Sequence, residues 1–295
     1  MLRLFALALL LCATIARAEP TAIVLGHADV ALTGPWRFAP GDDPRRAAPD
    51  FDDSAWERID LMPEPGAHDA DVGLTDYVPG WWSRGHRGYA GYAWYRLRVA
   101  ADAPSGERLA LLAPAYVEDA FEVYWNGRLI GGSGDFSATP PTVYGARPQR
   151  FEVPADAANA TSVLAIRVWM RPGAEREPDA GGIHIAPRIG LTPAIALRYE
   201  SQWRQTILGY IVDAVEPAAF VLLAILALAL AIARPARDAP FLRRLAVALL
   251  LTAALRANQA VFFWSSIESA AAFDIVKYTL LEPLGLAAWI VAWRR

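Results

Sequence analysis

The chain has 295 residues, 55% of them hydrophobic and 20% charged, which is too apolar for an ordinary soluble enzyme. A net charge of -3 supplies no basic stripe, so nucleic acid is excluded as a partner. The single cysteine, Cys12, excludes a disulfide framework and any cysteine-based metal site.

The chain opens with Arg3 as a basic flank, an apolar stretch from Leu4 to Ile15, and the small-x-small pattern Ala16-Arg17-Ala18. This is the layout of a secretory signal peptide over residues 1–18, cut before Glu19. The alternative is an uncleaved anchor helix, but the apolar stretch is short for a hydrocarbon core. Cys12 lies inside this segment behind Leu11, where a lipoprotein signal carries a small residue, so no lipid anchor is expected.

From Pro20 to Tyr199 there is no long helical periodicity. Short β-branched and aromatic runs alternate with Gly, Pro, Asn and Asp, which predicts an all-β sandwich over residues 19–200. The clearest hairpin is Phe121 to Trp125, Asn126-Gly127, then Arg128 to Ile130, because Asn-Gly supplies the two positive-φ residues of a type I′ turn. Ala93 to Val99, Arg108 to Leu112, Arg150 to Val153, Val163 to Trp169 and Ile183 to Ala186 are further expected strands, and their spacing suits a jelly roll.

The stretch from Glu64 to Tyr92 is long for a loop and carries Trp81, Trp82, Arg84, His86, Tyr89 and Tyr92 among glycines. Aromatic faces and polar heads together suit a saccharide, and Asp135, beyond Gly131 to Gly134, adds a carboxylate. The competing reading is that these rings pack the loop onto the sandwich. His27, His68, His86 and His184 lack zinc-site spacing, and Asp50 to Asp53 reads as turn capping. With no P-loop, kinase signature or Gly-x-Ser-x-Gly elbow, neither a cofactor nor catalysis is expected within these residues.

Four pieces stand in order: Gly34-Pro35-Trp36-Arg37-Phe38, Phe51-Asp52-Asp53-Ser54-Ala55-Trp56, Ala93-Trp94-Tyr95-Arg96 and Val123-Tyr124-Trp125-Asn126-Gly127. Together they resemble the sugar-binding, galactose-binding-like jelly roll of family 2 glycoside hydrolases over about half the chain. The catalytic barrel of that family does not follow. No hydrolase role is carried over.

Three apolar segments follow instead, from about Ile207 to Ala233, Leu245 to Trp264 and Ile275 to Trp293, which predicts a membrane domain over residues 204–295 with transmembrane α-helices at about 207–233, 245–264 and 275–293. Arg234, Arg237, Arg243 and Arg244 against one Asp238 make the first joint cytoplasmic, while Glu268 and Asp274 mark the second as external. Arg294 and Arg295 close the third span inside. The expected location is the bacterial inner membrane, with the sandwich in the periplasm and the bilayer as a partner.

Within the spans, Asp213, Glu216, Arg256 and Glu282 fall at similar depth in the outer half. They predict a buried polar hub, against the alternative of side chains snorkelling to headgroups. Glu216-Pro217 and Glu282-Pro283 predict two helix kinks.

A signal peptide, a jelly roll and membrane spans in this order resemble the bacterial 7TM receptors with diverse intracellular signalling modules. The resemblance implies a carbohydrate-like ligand outside and a cytoplasmic signalling output domain or protein, with Leu197 to Ile207 as the relay. Three spans followed by the end of the chain leave a truncated frame, a fragment, and a sensor that lends its signal to a partner all open. The remaining readings are a membrane-tethered carbohydrate-binding module and, last, an extracytoplasmic glycoside hydrolase.

Overall fold

The computed structural model describes residues 21–24, 29–70, 72–102, 106–154, 161–173, 178–233 and 238–294. The expected signal peptide, Cys12, His27, Arg234, Arg237 and Arg295 lie outside the described residues.

The sheet region is a sandwich. The larger sheet has the order β4 (Glu57–Ile59), β3 (Trp36–Pro40), β5 (Gly91–Asp102), β11 (Thr161–Met170), β8 (Ala120–Trp125) and β9 (Arg128–Ser133), with β1 (Thr21–Val24) pairing parallel to β5. The second sheet runs β10 (Arg150–Glu152), β6 (Leu109–Leu112), β13 (Arg188–Leu191) and β2 (Val30–Ala31), and β12 (Gly182–Ile183) pairs with β7 (Val117–Glu118). Side-chain alternation explains the facing layers: Tyr95, Leu97 and Val99 of β5 and Leu164, Ile166 and Val168 of β11 turn inward. They meet Leu109 and Leu111 of β6 and Ile189 and Leu191 of β13 in one apolar core. The β8–β9 hairpin turns at Asn126 (φ 48°) and Gly127 (φ 82°), the two positive-φ residues a type I′ turn needs.

The outward face of β5 is also covered. Arg96, wholly buried, reaches Asp53 at 2.8 Å and donates to the carbonyls of Arg46, Ala48 and Phe51. Arg98 approaches the other oxygen of Asp53 at 2.9 Å. Two of the four sequence pieces singled out above, Phe51 to Trp56 and Ala93 to Arg96, are thus joined by a single buried carboxylate. Trp56 and Ala47 close over Trp94 and Ala165 beside it.

The central strand of the second sheet, β6, is buried on both faces. Ala110 and Leu112, which point away from the core, pack beneath Ile195 and Tyr199 of α1 (Thr192–Gly209). That helix follows β13 with no residue between them, since Leu191 ends the strand and Thr192 begins the helix, with Pro193 in its first turn.

Helices α2 (Ile211–Ala233), α3 (Ala239–Trp264), α4 (Ala270–Asp274) and α5 (Glu282–Trp293) complete the described chain, with a π-helical stretch Ile275–Leu281 joining the last two. Three helical units, Thr192–Ala233, Ala239–Trp264 and Ala270–Trp293, are long and apolar enough to cross a membrane. The helix begins earlier than the first expected span and breaks at Tyr210; α3 extends six residues before Leu245, through the joint. α2 remains helical through Pro217, so no interruption occurs there. Pro283 instead follows the π-helical stretch, whose wider turns give the proline ring room beside the preceding carbonyls.

The helices meet through small residues. Ala224 and Ala227 of α2 pack on Ala246 and Leu249 of α3, with Trp289 of α5 against the same cluster. Trp289 donates to Thr252 Oγ1 at 3.0 Å, and Arg244 donates to the carbonyls of Val291 (3.1 Å) and Arg294 (2.9 Å), satisfying the end of α5. Outside this seam Leu222, Ile232, Leu286 and Trp293 are exposed, the surface a lipid-facing helix presents.

Removing the Asp53 carboxylate should leave two guanidinium groups unpaired in a dry site. Asp53→Ala is expected to cost about 3–5 kcal/mol, whereas Arg45→Ala, which breaks an exposed pair with Asp43, should leave the melting temperature unchanged. Thermal unfolding of the full chain in detergent checks both; equal losses would refute the central role of Asp53.

Candidate functional site

The residues from Glu64 to Tyr92 are positioned by a short 3-10 turn, Trp81–Arg84, and by bridges from His68 to Thr75 and from Tyr77 to Ile185. Trp81 is wholly buried against Phe38 and lies on the backbone of Gly181 and Gly182, whose φ values of 95° and 86° and lack of a Cβ permit the contact. Trp81 and Trp82 both donate to the Tyr89 carbonyl at 3.0 Å. The Tyr89 hydroxyl accepts from Gly41 N and donates to the Tyr92 carbonyl. Arg84 donates to Pro79 O at 3.0 Å, and His86 lies 3.0 Å from Glu57. Tyr92 sits with Trp169 and Phe136 beneath the Arg167 guanidinium, whose carbon lies 4.6 Å from the Tyr92 ring centre. Asp135 is turned into its own loop, accepting from Ser137 N and Oγ. The structure therefore brings Trp81, Trp82 and Tyr89 together as packing partners, puts the Tyr92 ring in a separate cluster with Trp169 and Phe136, places Arg84 and His86 at the edge of the first group, and holds Asp135 in a turn of its own.

Of the four expected hub residues, three meet. Arg256 of α3 lies 3.4 Å from Asp213 and 2.8 Å from Glu216, both on α2. Glu216 Oε2 stands out of line with the Arg256 N–H, so that contact is ionic without a hydrogen bond. Glu282 begins α5 and forms no ion pair among the described residues, although Trp289 of the same helix packs on the α2–α3 seam and reaches Thr252, one turn from Arg256.

The sandwich and the helices share a cavity of about 460 Å³. Its sandwich side carries Tyr116, Glu118, Tyr144 and Arg171; its helical side carries Tyr210, Phe263, Phe273 and Asp274. Arg171 crosses it to Asp274 at 2.9 Å, and Ala270 N donates to Val143 O at 2.8 Å. Tyr210 stacks on Phe263 with ring centres 3.9 Å apart, at the break between α1 and α2. Beside it Tyr77 and Tyr116 stack on the buried His184, whose Nδ1 lies 3.0 Å from Val78 O. Burial, and then the Asp179 carboxylate that its hydroxyl bonds, hold the Tyr77 phenol far above its usual range, so it stays protonated as a donor.

A second cleft, of about 270 Å³, lies between α1 and the sandwich edge. Arg188 pairs with Asp29, and Arg198 reaches the same carboxylate at 3.4 Å. Burial opposes ionisation of Asp29, but these arginines outweigh it and hold its carboxyl below the ordinary range. Gln205 of α1 donates to the carbonyls of Val72 (3.2 Å) and Gly73 (2.6 Å). Neither concavity was expected from the sequence. The available signal was Leu191-Thr192-Pro193, a helix start, followed by Ile195, Tyr199, Gln202 and Thr206 on one face.

No protein-family model matches the chain, and none of the curated proteins matches it. Among solved structures the chain is similar to Bacteroides uniformis beta-glucuronidase 2, covalently bound to cyclophellitol-6-carboxylate aziridine, with 20% identity and a TM-score of 0.38 over 55% of this chain and 18% of that one. A glycosyl hydrolase family 2 member from Bacteroides cellulosilyticus aligns with 20% identity and a TM-score of 0.39 over 56% of this chain and 20% of that one. For Faecalibacterium prausnitzii beta-glucuronidase the values are 19% and 0.36 over 56% and 31%. The chain spans about a fifth to a third of the length of these proteins.

Two substitution pairs separate packing from polar function. Trp81→Ala should cost about 3–5 kcal/mol and Trp82→Ala, at the surface edge, clearly less; similar melting temperatures for the two variants would contradict the core position of Trp81. Arg256→Leu should leave Asp213 and Glu216 unpaired and lower the yield of folded, membrane-inserted protein, while Arg243→Leu should not, as read by size-exclusion profiles in detergent.

Proposed function

We propose that this chain is the sensory and membrane part of a bacterial signal-transduction receptor. A jelly-roll, galactose-binding-like sandwich in the periplasm takes a small carbohydrate-like ligand, the helices cross the inner membrane, and the response is made by a cytoplasmic signalling domain or protein. In this reading the described residues bind and relay, and the catalysis belongs to the output. Arg243 and Arg244 face the cytoplasm by the positive-inside rule.

The observation that supports this reading is covalent and mechanical. Core strand β13 passes directly into α1, α1 is buried against the outer face of β6, and α2 follows after the single residue Tyr210. A tether needs no helix packed into its cargo. Here any shift of α1 on the sheet is delivered to α2 over one residue, and Arg171–Asp274 brings the far helices to the same boundary. A ligand acts by binding one arrangement of α1 better than the other, which shifts their populations.

The test is a distance. With Cys12→Ser as background, spin labels at Ile232→Cys and Trp293→Cys, both exposed, report the ends of α2 and α5 in nanodiscs. A bound neutral polyol of monosaccharide size, with glucose and myo-inositol as probes, should change the distance distribution by about 2 Å or more. An unchanged distribution with ligand shown bound by calorimetry would sink the relay and leave a tethered binding module.

A further inference from the structure

We propose that the cleft between α1 and the sandwich edge is a binding site for an uncharged polyol of monosaccharide size, in which Gln202 Oε1 accepts a ligand hydroxyl. The binding stands on the cleft itself; its effect on the helices rests on the receptor reading.

Three observations carry the site. The first is an orphan: Gln202 Oε1 is buried at the cleft and has no hydrogen-bond partner. A buried acceptor without a donor is unfavourable, and a hydroxyl entering the cleft relieves it.

The second is charge. Arg188 and Arg198 face the cleft with Asp76, and Asp29 holds both arginines from behind; Asp76 itself is 3.9 Å from Arg188. Two cations and two anions close on one another, so neither an anionic nor a cationic ligand gains net attraction. Spare N–H groups of the guanidiniums remain as donors, and Thr33, Thr75 and Ser201 supply hydroxyls that donate or accept. This mixture without net charge matches the alternating donors and acceptors of adjacent hydroxyl groups. Leu74 and Ile185 form an apolar side, and Met62, 63% exposed, stands at the rim, where the C–H groups of a ring can lie.

The third is placement. Ser201, Gln202 and Gln205 come from α1, whereas Thr33, Thr75 and Asp76 come from the sandwich. A ligand bonded to both walls holds α1 in its docked position, with Gln205 four residues before Gly209, the end of the helix that leads into α2. The volume of about 270 Å³ admits one ring.

Calorimetry on the full chain in nanodiscs tests the site with glucose and myo-inositol as neutral probes, and with glucosamine and glucuronate as charged analogues of the same ring. A neutral probe should bind at millimolar concentration or below, and each charged analogue about tenfold more weakly or worse. Gln202→Leu should weaken the neutral probe by about tenfold while leaving the melting temperature unchanged or raised, since it removes an orphaned polar atom; Trp82→Ala should not alter affinity. The site is refuted if Gln202→Leu binds within about twofold of the parent, if a charged analogue binds as tightly, or if neither neutral probe binds. The spin-label distances keep the two ideas apart. Gln202-dependent binding without a distance change overturns the relay and keeps the site; a distance change that survives Gln202→Leu overturns the site and keeps the relay.

Discussion

The structure depends on one contact, the seal of α1 over Ala110 and Leu112. Strand β6 is apolar on both faces and cannot leave one of them in water, and the described element packed over its outer face is the helix that leads into α2. The sandwich core and the membrane half are therefore not two bodies joined by a string. Undocking α1 would expose Ile195, Ala110 and Leu112 together and would strip Asp29 of Arg198 and the Val72 and Gly73 carbonyls of Gln205. Each loss is small, but they occur along one helix face, so the contact behaves as a unit.

Much of the sandwich is legible in the sequence because its strands obey the period of two. Ala93 to Val99 and Val163 to Trp169 place apolar residues at every second position, Tyr95, Leu97, Val99 and Leu164, Ile166, Val168, with Arg96, Arg98 and Arg167 between them, and the structure extends both into long strands at the centre of the larger sheet. Asn126-Gly127 is legible for a stronger reason, since few other pairs take two positive φ values. The segment Leu109 to Leu112 is recognisable as a strand yet silent about its second burial partner: both of its faces are apolar, and nothing local says that the cover is a helix starting eighty residues later. Short pairings such as Gly182–Ile183 are also poorly encoded, because two residues carry no period.

The site is less legible than the fold, for a reason that the aromatic loop makes plain. Trp81, Trp82, Tyr89 and Tyr92 suit a sugar and suit a core equally, and composition cannot tell which side of the rings meets solvent. Burial decides it for Trp81, pressed between Phe38 and the Gly181–Gly182 backbone. The clefts escape notice because their walls are assembled from distant segments, such as Thr75 with Gln202, or Tyr116 with Tyr210, and contribute residues that look ordinary in their own stretches. In the helices the reverse holds. Three apolar segments leave few polar residues to explain, so spacing and depth alone select Asp213, Glu216 and Arg256; Glu282, selected by the same criteria, forms no ion pair among the described residues.

The two ends of the helical half differ in the contacts that hold them. At the end away from the sandwich, α2, α3 and α5 are locked by close alanine packing and by Arg244 donating to the last carbonyls of α5, contacts that tolerate little sliding because dispersion falls off within about an ångström. At the end near the sandwich the contacts are of a different kind: an arginine facing two carboxylates, a stacked Tyr210–Phe263 pair, and the Arg171–Asp274 bridge. The ion pair of Arg256 can pass between Asp213 and Glu216, which sit three residues apart on one helix face, so the arginine keeps a partner in either arrangement. In the relay proposed above, a displacement entering through α1 would meet these exchangeable contacts before it reached the alanine seam.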